Sequence, residues 1–295
     1  MNVVGVIGCG AMGRGMIKNL ILDGHQVLVF DVNPEAVASV EKLGAIPMSS
    51  VQAVAEESTY LLLSLPTTIL VEDAIIGEEG ALKVMKEGSF ILDMSTTDVN
   101  STRKIHERAY QKGVSFFDCP VSGGPEGAEN GILTVMVGGD QGEFHQVEPV
   151  LQAIGKEVKY IGKIGSGQVV KLCHNIVVSG LIVLLSEAFL TGVKAGVPAS
   201  KIAEVMQEGS AQNRVLSVFG PNLIDGTHEN VKFLLSHMLK DIHLYMELAS
   251  DGQIPTFLGS TINQLYEIAD HKGKGQLDSS AVSQVLEELS NLESH

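Results

Sequence analysis

Three polar residues interrupt an otherwise apolar stretch in GSGQVVKLCHN, residues 165 to 175: Lys171, His174 and Asn175. On a helix, Lys171 and Asn175 project from one face because they stand four residues apart, with His174 beside them. A lysine set among Val169, Val170, Leu172 and Ile176 loses hydration, which disfavours its charged form and suits it to take up and return a proton near neutral pH. Asn175 could orient a hydroxyl group or the lysine itself. The structural alternative is a Lys171 that lays its stem on apolar surface and sends its ammonium to solvent, with His174 a satisfied core residue.

Two glycine loops supply what such a proton carrier could act beside. The segment VVGVIGCGAMGRGMIKNL holds Gly8, Gly10 and Gly13 in GxGxxG spacing, after an apolar strand and before a helical pattern. The first glycine permits the tight turn, the second lets backbone approach a pyrophosphate, and the third lets helix pack on strand, while the helix N-terminus faces the phosphates. Gly8, Gly10, Ala11, Met12 and Gly13 are therefore expected to bind a dinucleotide. The next strand, QVLVFD, ends in Asp31, where a carboxylate can accept hydrogen bonds from the adenosine ribose hydroxyls and repel a 2′-phosphate. This favours NAD over NADP. Asn33 could bond to the adenosine side, or Asn-Pro could simply start the following helix. An ordinary turn and an ordinary strand-end acid are the alternative for the whole segment. In DCPVSGGPEGAENGIL, Ser122, Gly123 and Gly124 expose backbone N–H groups and a hydroxyl that could hold a carboxylate, or form a plain turn before a short helix.

The elements that must position these residues change character along the chain. From Val3 to Ile161, short β-rich runs (VVGVIG, QVLVFD, TYLLLSLP, SFILDMS, VSFFDCP, LTVMVGG, EVKYIG) alternate with amphipathic stretches, predicting a largely parallel sheet covered by helices. Gly or Asp stands at several strand ends, where an open α/β sheet places its ligand. After Ile161 the periods are helical: 167 to 195, 199 to 208, about 237 to 250, about 256 to 270, and 279 to 291. The expectation is an α/β chain with a nucleotide-binding domain at 1–163 and an all-α domain at 164–295.

Composition bounds the partners. The 295 residues carry a formal net charge of −15, with 44% hydrophobic and 19% charged residues. That is a globular composition, and its charge disfavours nucleic acid or an anionic membrane surface. The run IVVSGLIVLL, Ile176 to Leu185, is shorter than the ~18 residues of a membrane span and reads as buried helix. Cys9, Cys119 and Cys173 form no CxxC pair and no zinc motif, which fits a reducing cytoplasm, and no metal site is expected. The opening VVGVIG shows no basic leader or cleavage site, so a mature chain starting near Met1 is expected.

The segments GVIGCGAMGRGMIKNL, DCPVSGGPEGAENGIL, GSGQVVKLCHN and LKDIHLYMELA resemble, in order and over nearly the whole chain, the four motifs of the β-hydroxyacid dehydrogenase family. That family includes 3-hydroxyisobutyrate dehydrogenase and tartronate semialdehyde reductase, also called 2-hydroxy-3-oxopropionate reductase. The resemblance implies an N-terminal Rossmann-type doubly wound domain, a long interdomain helix and an all-α C-terminal domain, assembled as a homodimer or homotetramer. It implies reversible NAD(P)-dependent oxidation of a small 3-hydroxy acid to its semialdehyde. By position, Lys171 matches the catalytic lysine, and Asn175 the polar residue that helps hold the substrate. Ser122, Gly123 and Gly124 match the substrate-carboxylate loop, and Lys240 a lysine near nicotinamide and substrate. Leu65 and Pro66, with Ser95 and Thr96, match further cofactor contacts. His174 departs from the asparagine many members carry; KxxHN is similar to the 6-phosphogluconate dehydrogenases, whose phosphate-binding tyrosine is Ser179 here and whose long C-terminal region this chain lacks. Arg214 could bind an anionic substrate tail or sit on the surface. Oxidation of a phosphorylated sugar acid and a non-catalytic NAD-sensing module are the competing functions.

Overall fold

In a computed structural model of the chain the described residues are 2–291; Met1, and with it the expected start of the mature chain, and 292–295 lie outside them. The chain parts into two compact units between Lys171 and Leu172.

The first unit is a Rossmann-type sheet. Five βα repeats and a sixth strand open it: β1 (Val3–Ile7), α1 (Ala11–Leu22), β2 (Gln26–Phe30), α2 (Pro34–Glu41), β3 (Ile46–Pro47), α3 (Val51–Glu57), β4 (Tyr60–Leu63), α4 (Thr68–Ile76), β5 (Phe90–Asp93), α5 (Val99–Tyr110) and β6 (Ser115–Asp118). Then come β7 (Val121–Ser122), α6 (Gly124–Glu129), β8 (Leu133–Gly138), α7 (Phe144–Ile154) and β9 (Gly155–Gly162). The order is β3-β2-β1-β4-β5-β6-β8-β7, with β9 beside β8. Strands β1 to β6 are parallel, while β8 runs antiparallel to β6 and β7 and parallel to β9. Period-two alternation divides each strand between two cores. Leu62 and Leu92 pack with Met16, Ile17 and Leu20 of α1, whereas Leu61, Leu63 and Ile91 pack with Val54, Val71 and Ile105 of the helices on the other face. A sheet buried on both faces explains why its strands read as continuous apolar runs.

Strands β3 and β7, two residues each, went unpredicted because so short a segment carries no periodicity.

Helix α8 (Ser166–Lys194) crosses from the first unit into the second, where α9 (Ala199–Glu208), α10 (Arg214–Asp225), α11 (Leu235–Asp251), α12 (Phe257–Ala269) and α13 (Ser283–Ser290) follow. The second unit is all helical among the described residues and packs around Phe189, Leu216, Phe219, Leu235, Ile242 and Tyr266. Helix α10 was missed in the sequence because the pair Gly220-Pro221 reads as a break; the helix tolerates both and is capped by Asn213, whose Oδ1 accepts the Leu216 N–H at 2.8 Å. The helical pattern at 279 to 291 is a 3₁₀ turn, Ser279–Val282, before α13. Among the described helices α8 alone is long and apolar enough to cross a membrane, at 29 residues. Its first turn is hydrogen-bonded into the sheet of the first unit, as described below; further along, Ile182, Leu185 and Phe189 enter the core of the second unit while Val177 and Leu184 are exposed, so the stretch expected to be buried helix is buried on part of its surface only.

Candidate functional site

The glycine-rich turn joins β1 to α1, and the structure divides its glycines by task. Gly8 has φ +100° and hydrogen-bonds through its N–H to the Phe30 carbonyl at 3.0 Å. A Cβ on Gly13 would stand 1.9 Å from the Gly8 carbonyl oxygen, so only glycine lets α1 pack this closely. Gly10 is different: a Cβ there would meet nothing within 4 Å. Gly10 is also the N-cap of α1 and supplies no side-chain cap, and the first turn, Ala11 and Met12 included, carries no acid. Among the described residues no side chain caps the orphan N–H groups of that turn, and a helix N-terminus of this kind attracts an anion. The open ground at Gly10 and this uncapped terminus fit a dinucleotide pyrophosphate.

Asp31 comes up to the same turn. Its Oδ2 accepts the Cys9 N–H at 2.6 Å and its Oδ1 accepts the Asn33 N–H at 2.8 Å. Each carboxylate oxygen keeps acceptor capacity beyond its one bond, which ribose hydroxyls could use. Asn33 caps α2, its Oδ1 accepting the Glu35 N–H at 3.0 Å. Burial, with a smaller push from Asp31, raises the Cys9 thiol to about 12, so it stays protonated.

At the carboxyl ends of β4 and β5, the Leu65 N–H donates to Ser95 Oγ at 2.9 Å, which ties the Leu65-Pro66 loop to the Ser95-Thr96 loop. The strand-end acids here are not ligand sites. Asp93 and Asp118 are fully buried and turn inward. Asp93 accepts the Ser95 N–H at 3.0 Å and the Thr97 hydroxyl at 3.1 Å. Asp118 accepts the N–H groups of Gly165 at 2.7 Å and Gln168 at 2.9 Å, and so caps α8 from a different element. The sequence reading did not single out either acid or Gln168; the available signal was a polar residue at the end of an apolar strand for each acid, and one beside a glycine loop for Gln168.

Further along the first unit, Ser122 ends β7, and Gly123 and Gly124 follow at φ +137° and +65° before α6. Lys171 is 8% exposed, so most of its side chain is withdrawn from solvent.

In the second unit, Asn175 is buried and fully oriented. Its Nδ2 donates to Asp241 Oδ2 at 2.5 Å and its Oδ1 lies 2.9 Å from His174 Nδ1. Lys240 Nζ pairs with the other oxygen of Asp241 at 2.8 Å. The structure thus joins Asn175 and Lys240 through Asp241, a buried acid the sequence reading did not single out although it sits in LKDIHLYMELA. His174 is exposed, and the core reading of it does not hold. Burial, then the Lys240 charge, lowers the proton affinity of nearby His237 against the opposing pull of Asp241. Ser179 is buried and bonds back to the Ile176 carbonyl at 3.0 Å, and Arg214 is an exposed first residue of α10. Among the described residues no group of three or more His, Cys, Asp or Glu could hold a metal ion.

Comparison with known proteins places the chain in a family. Residues 3–162 match the family model described as the NAD binding domain of 6-phosphogluconate dehydrogenase, and residues 165–286 match that of the NAD-binding region of NADP-dependent 3-hydroxyisobutyrate dehydrogenase. The chain is 34% identical over 289 residues to 2-(hydroxymethyl)glutarate dehydrogenase of Eubacterium barkeri, covering 98% of this chain and 96% of that one. It is 34% identical over 288 residues to 2-hydroxy-3-oxopropionate reductase of Escherichia coli (strain K12), covering 98% of each. A solved structure of Mycobacterium tuberculosis 3-hydroxyisobutyrate dehydrogenase with L-serine superposes with a TM-score of 0.87 at 27% identity, over 97% of this chain and 99% of that one. The chain belongs to the family of NAD(P)-binding oxidoreductases that contains 3-hydroxyisobutyrate dehydrogenase and 2-hydroxy-3-oxopropionate reductase.

Proposed function

We propose that the protein interconverts a small 3-hydroxy carboxylate and its semialdehyde, with NAD preferred over NADP. The observation that carries this reading is the buried lysine, Lys171, on a helix whose first turn is hydrogen-bonded to the carboxyl ends of strands β5 and β6. In an open α/β sheet that edge is where a dinucleotide lies. The names of the relatives support the substrate class: hydroxymethylglutarate, 3-hydroxyisobutyrate and 2-hydroxy-3-oxopropionate each carry a carboxylate two bonds from the carbon that is oxidised or reduced.

The nicotinamide would accept or return the hydride. The chain's own work is binding, orientation and proton transfer. Gly10, Ala11, Met12 and Gly13 would hold the pyrophosphate, Asp31 and Asn33 the adenosine end, and Leu65, Pro66, Thr96 and Lys240 the remainder of the cofactor. Ser122 with the Gly123 and Gly124 backbone would anchor the substrate carboxylate and so fix which carbon reacts. Lys171 receives the hydroxyl proton at Nζ during oxidation and returns it to the oxygen during reduction. Asn175, its amide held by Asp241 and His174, keeps one N–H and one lone pair for the substrate hydroxyl. The free thiols Cys9, Cys119 and Cys173 support a cytoplasmic setting, and the family resemblance supports a homodimer or homotetramer.

His174 beside Asn175, together with the N-terminal family match, favours one second reading, oxidation of a phosphorylated sugar acid. One panel separates them: initial rates with 3-hydroxy acids, semialdehydes and 6-phosphogluconate, each with NAD(H) and NADP(H). Turnover of a 3-hydroxy acid without loss of carbon dioxide is the expected result. Carbon dioxide release from the phosphorylated acid would favour the second reading, and cofactor binding with no turnover on any substrate would favour a sensor.

A further inference from the structure

We infer that Gln168 is a positioning residue that holds the proton carrier Lys171 in register with the Ser95–Thr97 loop, an inference that rests on the dehydrogenase reading above. The Gln168 side chain is fully buried. Its Oε1 accepts the Thr97 N–H at 3.1 Å and its Nε2 donates to the Ser95 carbonyl at 2.9 Å. One amide thus bonds to the peptide groups on both sides of Thr96, closing a ring across that residue much as a neighbouring strand would. Asp93 grips the same loop through Ser95 and Thr97, and Ser95 Oγ accepts from Leu65, so both proposed cofactor loops are tied into the ring.

At its backbone, Gln168 is held by a separate bond, its N–H donating to Asp118. Two glycines let backbone approach Asp118 closely: a Cβ on Gly138 or Gly167 would lie 2.4 or 2.8 Å from its carboxylate oxygens. The first turn of α8 is therefore fixed at main chain and side chain. Lys171 follows Gln168 by three residues and shares its helix face. An amide that only filled volume would not need both ends matched to one loop. Misplacing a reacting group by about 1 Å can cost on the order of 100-fold in rate.

The test compares the wild type, Gln168→Leu and Gln168→Glu in the full chain, on whichever substrate the wild type turns over. Gln168→Leu keeps the bulk and loses both bonds. At saturating cofactor its kcat is expected to fall roughly 10- to 100-fold, with a larger primary deuterium isotope effect. Gln168→Glu is the conservative variant. Protonated, its carboxyl accepts from Thr97 and donates to Ser95 as the amide does; ionised, it has no proton for the Ser95 carbonyl. The titratable groups tied to it are Asp93, which holds the same loop, and Asp118, which accepts its N–H, with Lys171 three residues on along its own helix. Dividing each rate by the wild-type rate at the same pH removes the part of their titration that the substitution leaves unchanged. The ratio is expected to approach unity at low pH and to fall roughly 10- to 100-fold as pH rises, a profile that can be read even if the leucine variant fails to fold. A ratio independent of pH, or a Gln168→Leu enzyme with wild-type kcat and altered only in KM or Tm, overturns the inference while leaving the dehydrogenase reading intact. A wild type silent across the substrate panel overturns both.

Discussion

Replacing Asp31 with alanine perturbs two things at once, and the structure gives each a size. The carboxylate accepts the Cys9 N–H at 2.6 Å and the Asn33 N–H at 2.8 Å. Asn33 is exposed and water can replace its partner, but Cys9 is 2% exposed and its amide would be left without an acceptor. A buried unpaired amide costs roughly 1–3 kcal/mol, so Asp31→Ala should lower Tm by on the order of 5 °C. The second effect is on cofactor choice. A carboxylate within about 5 Å of a 2′-phosphate repels it by roughly 1–3 kcal/mol, depending on screening, which is about 5- to 150-fold in affinity. Losing that repulsion, and the ribose contacts with it, should lower the ratio of kcat/KM for NAD over NADP by roughly 10- to 100-fold. Asn33→Ala is the contrast: it removes a helix cap at a cost of about 1 kcal/mol and an uncharged contact to the adenosine end, so it should weaken both cofactors alike and leave their ratio little changed. The assays are thermal melting by circular dichroism and initial rates with each cofactor. An Asp31→Ala protein with unchanged Tm and an unchanged cofactor ratio would refute both halves of the reasoning.

Two further contrasts follow from the same unit. Gly13→Ala forces a Cβ to 1.9 Å from the Gly8 carbonyl and should cost about 3 kcal/mol or more, whereas Gly10→Ala meets nothing within 4 Å; it should melt like the wild type yet bind reduced cofactor at least about 10-fold more weakly in a fluorescence titration. Burial, against the bonds from Ser95 and Thr97 and with a lesser push from Asp118, raises the Asp93 carboxyl to about 7. Its folded value lies above the unfolded one, so the native state holds a proton the unfolded chain has released, and stability falls as pH rises from about 4 to about 7 and then levels. Asp93→Asn should shrink that fall in a series of melts across pH, with Asp118, also raised by burial, leaving a remainder; an unchanged slope would count against the assignment.

Much of this was legible in the sequence, and the reasons differ by element. The glycine turn and Asp31 were readable because their tasks are local: strand, turn, helix and acid follow one another within about thirty residues. Lys171 and Asn175 stood out because they are polar residues in an apolar helix. Their partners did not. Asp118 caps α8 from 47 residues away, Gln168 pairs with a loop 71 residues before it, and Asp241 orients Asn175 across 66 residues. Such contacts depend on which strand ends and helix turns the topology brings together, and neither propensity nor spacing encodes that. Helix α10 was hidden for a local reason, since Gly220-Pro221 imitates a terminus.

The most direct test of the central claim is the initial rate of Lys171→Ala against the wild type on its best 3-hydroxy acid, followed by the absorbance of the reduced nicotinamide, with cofactor binding measured in parallel. If Lys171 carries the proton, the rate should fall about 10²- to 10⁴-fold while the cofactor dissociation constant stays within a few-fold. Undiminished turnover in that variant would contradict the account.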